Sequence, residues 1–533
     1  MISLVLLSTC ILFSLFLSNL PEKIDKQILN KNFSNTEIGS YHHTAYGQIV
    51  LTQKNNEYHF LINNSLLFSL PDNNIIESED FVHISMLHHQ NPKNILIIGK
   101  IFKCLSIILK YNIDIIDYAT DNKKIIENIK PQITNLDIML NDKRLHIYSQ
   151  NTKLFVAHNK NKYDLVFIAF DTPTNLYINS FYSKEFFEIA KYSLKKDGFL
   201  ALQLPGKMVF HSYVTTELNQ SIIEALKANF KEVRIVPGTK NIILASQTPM
   251  PYRMFIKRHL KKVQDKTLVL TKHHIDERMD TEKTKWLTAE LKKLNYRSIT
   301  NTICTPYAMI FSVLYEQAKF SPYLSVILDK ISQYSYFIIF GIIIIFFLSK
   351  SIYKTSSFTC MSTSCWLNFI IIFILQSYNG QTYKLVGLFL SLFILGAVFG
   401  TFLAKNTLKS VLTKRKILFT EVLFLIIIST LFIFLKTSKE NSWLLYMFLF
   451  FSGLALGIEL LLLIEISKIH QNIKKILLSG AFGAFVTFTL GGSFLILVWG
   501  IQNSILFILF FKFLIFCRWA DLTKSYNIST KTH

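Results

Sequence analysis

Two patterns of apolar and polar positions divide this chain. Between residues 41 and 250, short apolar stretches of strand length alternate with amphipathic stretches of helical period. Strands are predicted at Gly47–Gln53, Tyr58–Ile62, Asn94–Ile98, Ile113–Tyr118, Leu145–Tyr148, Leu165–Ala169, Phe199–Gln203, Val233–Val236 and Asn241–Ala245. Helices are predicted between them, among others over Ser183–Leu194 and Thr215–Asn229. Such alternation implies a mostly parallel sheet wrapped by helices, with the two short leading strands as a small N-terminal β-appendage.

From residue 334 the pattern changes to long apolar runs: 334–349, 361–378, 385–404, 417–435, 443–466, 476–500 and 502–519. Each approaches the ~20 residues that span a bilayer as a helix. An uncharged apolar run at 2–20 has no basic segment before it and no small-residue cleavage pattern, so it reads as an uncleaved anchor. Residues 251–300 carry 13 Lys and Arg and 6 Asp and Glu at helical spacing, which predicts a charged, solvated linker extending to about 333. The organisation is then an anchor (1–20), an α/β domain (41–250), a charged helical linker (251–333), a seven-helix membrane domain (334–519) and a polar tail (520–533).

Charge sharpens this division. Residues 21–335 hold 40 basic and 30 acidic side chains, while 336–533 hold 17 and 5, so acids nearly vanish where the apolar runs begin. The net charge of +22 does not mark a nucleic-acid binder, because the C-terminal cations sit in short loops between apolar runs. Thirteen of them fall in alternate loops (Lys350, Lys354; Lys405 to Lys416; Lys468 to Lys475; Arg518 to Lys531), against Lys384, Lys436 and Lys439 in the others. The positive-inside rule places the thirteen in the cytoplasm and the α/β domain outside it, in a plasma membrane of bacterial type.

Candidate chemistry is sparse. The six cysteines form no CxxC, and the histidine pairs (His42/His43, His88/His89, His273/His274) lack carboxylate–histidine spacing, so no metal site is expected. Within the run at 443–466, Glu459 lies deep and Glu465 near the end. An acid inside a membrane span is either a functional group or a packed structural one. Glycine pairs at Gly396/Gly400, Gly453/Gly457 and Gly480/Gly483 suit close helix packing.

Several segments together resemble the spermidine synthase family, in its membrane-fused branch. They are AYGQIVL at 45–51, ESEDFVHISMLHHQNPKNILIIG at 77–99 and, most specifically, YDLVFIAFDTPTNLYINSFYSKEFFEIAKYSLKKDGFLALQLPG at 163–206. PGTKNIILAS at 237–246 and ITNTICTPY at 299–307 continue the likeness, which covers most of 41–500. The resemblance implies a Rossmann-like, methyltransferase-type fold. It also implies transfer of an aminopropyl group from decarboxylated S-adenosylmethionine to a diamine such as putrescine.

Four positions test that activity. The family's glycine-rich turn is here Gly99-Lys100-Ile101-Phe102-Lys103-Cys104, with one glycine left, and Ile101 and Phe102 are expected to fill the cofactor's space. The ribose-binding acid aligns with Ala119 or Thr120. Asp121 follows as a substitute, or as the N-cap of a helix at Asn122–Ile129. The adenine-binding acid is Asn151, alternatively a surface loop residue. The paired catalytic acids align with Ala169 and Thr172, leaving Asp171 as the nearest carboxylate, alternatively a turn cap before Pro173. His83 matches a histidine at the family's active-site mouth, with Ile84 in place of the acid beside it.

Three readings follow. The first is a catalytically degenerate membrane protein with a synthase-like domain that binds a polyamine or nucleoside ligand. The second is an active aminopropyltransferase using decarboxylated S-adenosylmethionine as cosubstrate. The third is a transporter-like component of the lipid bilayer.

Overall fold

The computed structural model describes most of residues 36–320 and 351–529. Gaps fall at 45, 55–56, 63–64, 72–73, 130–137, 207–212, 251–265, 268–270, 294–298, 381, 408–412, 438–441 and 470–472, and only scattered positions of 1–35 and 321–350 are described. The predicted anchor at 2–20 and nearly all of the run at 334–349 lie outside the described residues.

The appendage is larger than two strands. β1 (Glu37–Thr44), β2 (Gly47–Lys54), β3 (Glu57–Ile62) and β4 (Ser65–Leu70) form an antiparallel meander. β1 escaped the sequence reading because it is a polar edge strand that carries no apolar alternation.

The main sheet has seven strands in the order β10 (Glu232–Val236), β11 (Lys240–Ser246), β9 (Leu194–Pro205), β8 (Tyr163–Ala169), β5 (Asn94–Gly99), β6 (Ile115–Thr120), β7 (Leu145–Ser149). All neighbours from β9 to β7 are parallel, and β11 runs antiparallel to both β9 and β10. Alternate residues of one strand serve opposite faces. On β5, Ile95 and Ile97 join a core with Phe81 and Phe167, while Leu96 and Ile98 join another with Phe181, Tyr182 and Phe186. Both faces are therefore covered, and the chain order reverses between β5 and β8. In such Rossmann-like sheets the crevice beyond that reversal is where ligands enter.

Around the sheet pack α1 (Ile75–Leu87), α2 (Phe102–Ile108), α3 (Lys124–Ile129), α4 (Thr152–His158), α5 (Leu176–Ser180), α6 (Lys184–Ser193) and α7 (Tyr213–Lys227). The charged stretch after 251 is not a solvated linker where it is described. Its helices α8 (Lys272–Arg278) and α9 (Thr281–Lys293) bury Ile275, Leu287 and Leu291. Arg278, 3% exposed, pairs with Asp80 at 2.8 Å and donates to the carbonyl oxygens of Pro237 and Lys240. A guanidinium with five donors can be buried because acceptors surround it. α10 (Tyr307–Phe320) then closes the domain against α7.

The C-terminal region is all helical: α11 (Ile352–Asn379), α12 (Thr382–Thr407), α13 (Thr413–Thr437), α14 (Ser442–Ile469), α15 (Ile473–Val486), a π-helical stretch (Thr487–Leu495) and α16 (Ile496–Ser529), which is broken at Gly500. Among the described residues, five helices are long and apolar enough to cross a membrane, at Ile352–Tyr378, Leu385–Lys405, Arg415–Leu435, Trp443–Ile466 and Ile473–Gly492. Two of the glycine pairs interlock. A Cβ on Gly396 or Gly400 would strike the backbone of Phe450 or Leu454, and one on Gly453 or Gly457 would strike that of Phe393 or Ala397. α12 and α14 thus touch backbone to backbone.

The α/β domain meets the bundle where helicity breaks. Gly380, with φ +67°, ends α11 against the Tyr177 ring, and Gly500, with φ +78°, lies on Thr305, followed by an Ile501 N–H that donates to the Cys304 carbonyl at 2.7 Å.

Candidate functional site

A cavity of about 790 Å³ opens beyond the carboxyl ends of β5, β6 and β8. Its lining includes Gly99, Lys100, Phe102, Lys103, Tyr118, Asp121, Asp171, Gln203 and Lys240. From α1 comes Glu77, and from α10 come Tyr315, Glu316 and Lys319.

Of the two bulky residues in the turn after β5, Ile101 is 1% exposed and packs in the core below the sheet, while Phe102 lines the cavity and packs at a tilt against Phe68, with centroids 4.4 Å apart. Gly99 has φ +105°, and a Cβ there would lie 3.0 Å from Ala169 C and Phe170 N. Strand packing alone therefore requires this glycine. Beside Phe102, the turn brings Lys100 and Lys103 to the cavity, and neither lysine stands out in the sequence.

These lysines organise the site. Lys100 is ion-paired with Asp171 and donates to the Leu66 carbonyl at 2.9 Å. Lys240 lies 3.6 Å from Asp171 and 2.6 Å from Glu77. Lys103 donates to Glu77 at 2.7 Å and to Gln203 at 2.5 Å. Three ammonium groups thus surround two carboxylates. Burial disfavours the charge of Asp171, but Lys100, Lys240 and Lys103 outweigh it and hold the carboxyl well below its ordinary range. Glu77 is lowered against its own burial by Lys103 and Lys240, and Lys240 is raised against its burial by Asp171 and Glu77. The loop carrying Asp171 is fixed by the Tyr182 hydroxyl, which donates to the carbonyls of Phe170 (3.1 Å) and Asp171 (2.9 Å).

Asp121 is better placed than its alignment suggested. β6 runs to Thr120, so Asp121 is the first residue past the strand's carboxyl end. It does not cap the helix that follows it. One oxygen accepts the Thr152 N–H at 2.8 Å, holding the start of α4, and the other accepts the Tyr177 hydroxyl. Burial raises its carboxyl to about 6, against the opposing effects of the Thr152 N–H and Lys153. Asn151 spends its side-chain oxygen on the Leu154 N–H at 3.1 Å as the N-cap of α4. The cavity lining does not include it.

His83 does not reach the cavity. It is fully buried in α1, its Nδ1 meets the Tyr111 hydroxyl, and burial lowers it to about 4. Thr172 stands at the cavity rim with its hydroxyl 3.5 Å from Glu316, whose carboxylate is held at 2.9 Å by Lys319.

Each Asp121 oxygen therefore already accepts one hydrogen bond, Asn151 is a helix cap outside the cavity lining, and Asp171 is paired with Lys100.

A sequence model of the spermine/spermidine synthase domain matches residues 74–248. Polyamine aminopropyltransferase 2 of Aquifex aeolicus is 27% identical over 231 residues, 42% of this chain and 46% of its own length. The polyamine aminopropyltransferase of Oceanobacillus iheyensis is 24% identical over 172 residues, 30% of this chain and 32% of its own. The chain spans less than half the length of these two relatives. The crystal structure of spermidine synthase from Thermotoga maritima overlaps with a TM-score of 0.39 at 16% identity, covering 48% of this chain and 88% of that one. Residues 74–248 thus match the spermine/spermidine synthase domain in sequence, and helices of membrane-spanning length follow this synthase-like domain.

Proposed function

We propose that this is a multi-pass membrane protein whose synthase-like domain has lost aminopropyl transfer and keeps its cavity as a ligand pocket. The pairing of Lys100 with Asp171 carries this reading. Aminopropyl transfer needs a carboxylate that holds a cationic diamine and takes its proton as nitrogen attacks carbon. Here the two family positions are Ala169 and Thr172, and the neighbouring Asp171 already has an ammonium partner from its own chain. Around Asp171 and Glu77 three lysines outnumber two carboxylates, so this part of the pocket disfavours a further cation.

The experiment is an aminopropyl-transfer assay of the full-length chain with putrescine and decarboxylated S-adenosylmethionine. No turnover is expected. Turnover abolished by Asp171→Ala would establish the active-transferase reading in its place.

The domain also sits at one end of the bundle, against Gly380 and Gly500. The cation-rich loops, marked by Lys405 at the end of α12 and Arg415 at the start of α13, lie at the other. The positive-inside rule then supports a domain outside the cytoplasm, away from the cytosolic supply of decarboxylated S-adenosylmethionine. A tag at His533 should be exposed to the cytoplasm, and exposure on the opposite side would reverse this orientation.

A further inference from the structure

The membrane helices bury a charged cluster that the α/β domain does not use. Glu421 on α13, Glu459 on α14 and Lys512 on α16 are each 0% exposed. Lys512 Nζ lies 2.9 Å from Glu421 Oε2 and 3.0 Å from Glu459 Oε2, with the Phe424 ring 4.2 Å away. Ser356 on α11 completes the cluster. Its hydroxyl is 3.0 Å from Glu459 Oε1, 3.4 Å from Glu421 Oε1 and 3.3 Å from the Trp519 indole N–H. Cys360, one turn further along α11, is also fully buried.

Two independent counts give the same occupant. The first is of charge: two carboxylates and one ammonium leave one uncompensated negative charge inside a membrane bundle, an arrangement strongly disfavoured without water. One bound proton neutralises the group. The second is of hydrogens. Ser356 has one hydroxyl proton and two lone pairs. It donates to the nearer Glu459 and accepts from Trp519, so its contact with Glu421 is satisfied when Glu421 supplies a proton of its own.

We propose that Glu421, Glu459 and Lys512 form an intramembrane proton-binding site that holds one proton, on Glu421, at neutral pH. Glu421 is six residues from Arg415 along α13, so the site lies roughly 9 Å from the cation-rich end of the bundle, the side from which the proton would exchange. Proton release leaves one carboxylate unpaired beside Lys512 and Ser356. A transporter-like role of the bundle would run through this site.

Infrared spectroscopy of the full-length chain in lipid nanodiscs tests it, through the deuterium-sensitive C=O band of a protonated carboxyl group at neutral pH. Wild type should show one carboxyl equivalent. Glu421→Gln and Glu459→Gln should each lose it, since one acid and one lysine balance. Lys512→Met should show two. Size exclusion and thermal melting check that each variant is folded, and should Lys512→Met fail, wild type and the two Gln variants still decide. A spectrum unchanged by Glu421→Gln overturns the proposal. So does a band present in choline buffer and absent in sodium buffer, which would make this a metal-cation site.

Discussion

Lys100 follows β5 and Asp171 follows β8, and because Gly99 pairs with Ala169 in the sheet, their side chains meet across the cavity mouth. The proposed loss of aminopropyl transfer turns on this contact, which gives Asp171 an ammonium partner from its own chain.

Replacing Lys100 with Ala should destabilise the domain by no more than about 1 kcal/mol, because Asp171 is 45% exposed and solvent screens the pair. The carboxyl is held below its ordinary value, so this stabilisation is complete above about pH 4 and disappears as pH falls through the folded-state value. Thermal melts should show wild type above K100A at neutral pH, with the gap closing in strong acid. A gap that persists in strong acid would assign the loss to packing.

His88 predicts an acid sensitivity at higher pH. It is 2% exposed, and burial holds it at about 4, with the Ile84 carbonyl opposing and Arg234 adding to the shift. The unfolded chain protonates near pH 6.5, so stability falls between about 6.5 and 4 and is level below. The loss is at most on the order of 3 kcal/mol. Denaturant titrations across this range should find a shallower slope in His88→Leu. An equal slope would exclude His88 as a source.

Gly453→Leu should unfold or disperse the membrane region, by about 1–3 kcal/mol or more, because the new Cβ meets the Phe393 and Ala397 backbones. Gly387→Leu, where nothing lies within 4 Å, should be tolerated. Detergent-solubilised melts of the two variants make the comparison. Equal stability would contradict the α12–α14 contact.

Lys153 ties the cavity wall to the bundle. Its ammonium donates to the Ser377 carbonyl at 2.5 Å and sits among the Tyr177, Phe181 and Tyr378 rings. Burial lowers it to about 8, against Asp121 and Glu185. Lys153→Met keeps the bulk and removes the donor, so amide exchange in the last turn of α11 should quicken. Unchanged exchange there would show that Tyr177 and Gly380 hold the junction alone.

The alternating sheet was legible because its strands are apolar runs of the right length, Ile95–Ile98 and Leu165–Ala169 above all. β1 was not, being polar and at an edge. Asp171, Asp121 and Gly99 were named as the site, and the structure does bring them to one cavity. The lysines stayed hidden because a lysine near a glycine turn looks like surface, and Lys240 and Glu77 come close only through the β11–β9 pairing and the placement of α1. His83 was misread because its helix position carries no sign of which way the ring faces. Glu421 and Lys512 were missed for a similar reason. Glu421 is the single charge in its apolar run and Lys512 shares its run only with Arg518 near the end, and only helix packing joins them to Glu459.

The proposed loss of cofactor binding is tested most directly by calorimetric titration of the full-length chain with decarboxylated S-adenosylmethionine, with S-adenosylmethionine as comparison. The account predicts no heat and no thermal stabilisation at millimolar ligand. Binding at micromolar strength, worth about −8 kcal/mol, would contradict it and show that Lys100 and Asp171 part to admit the cofactor.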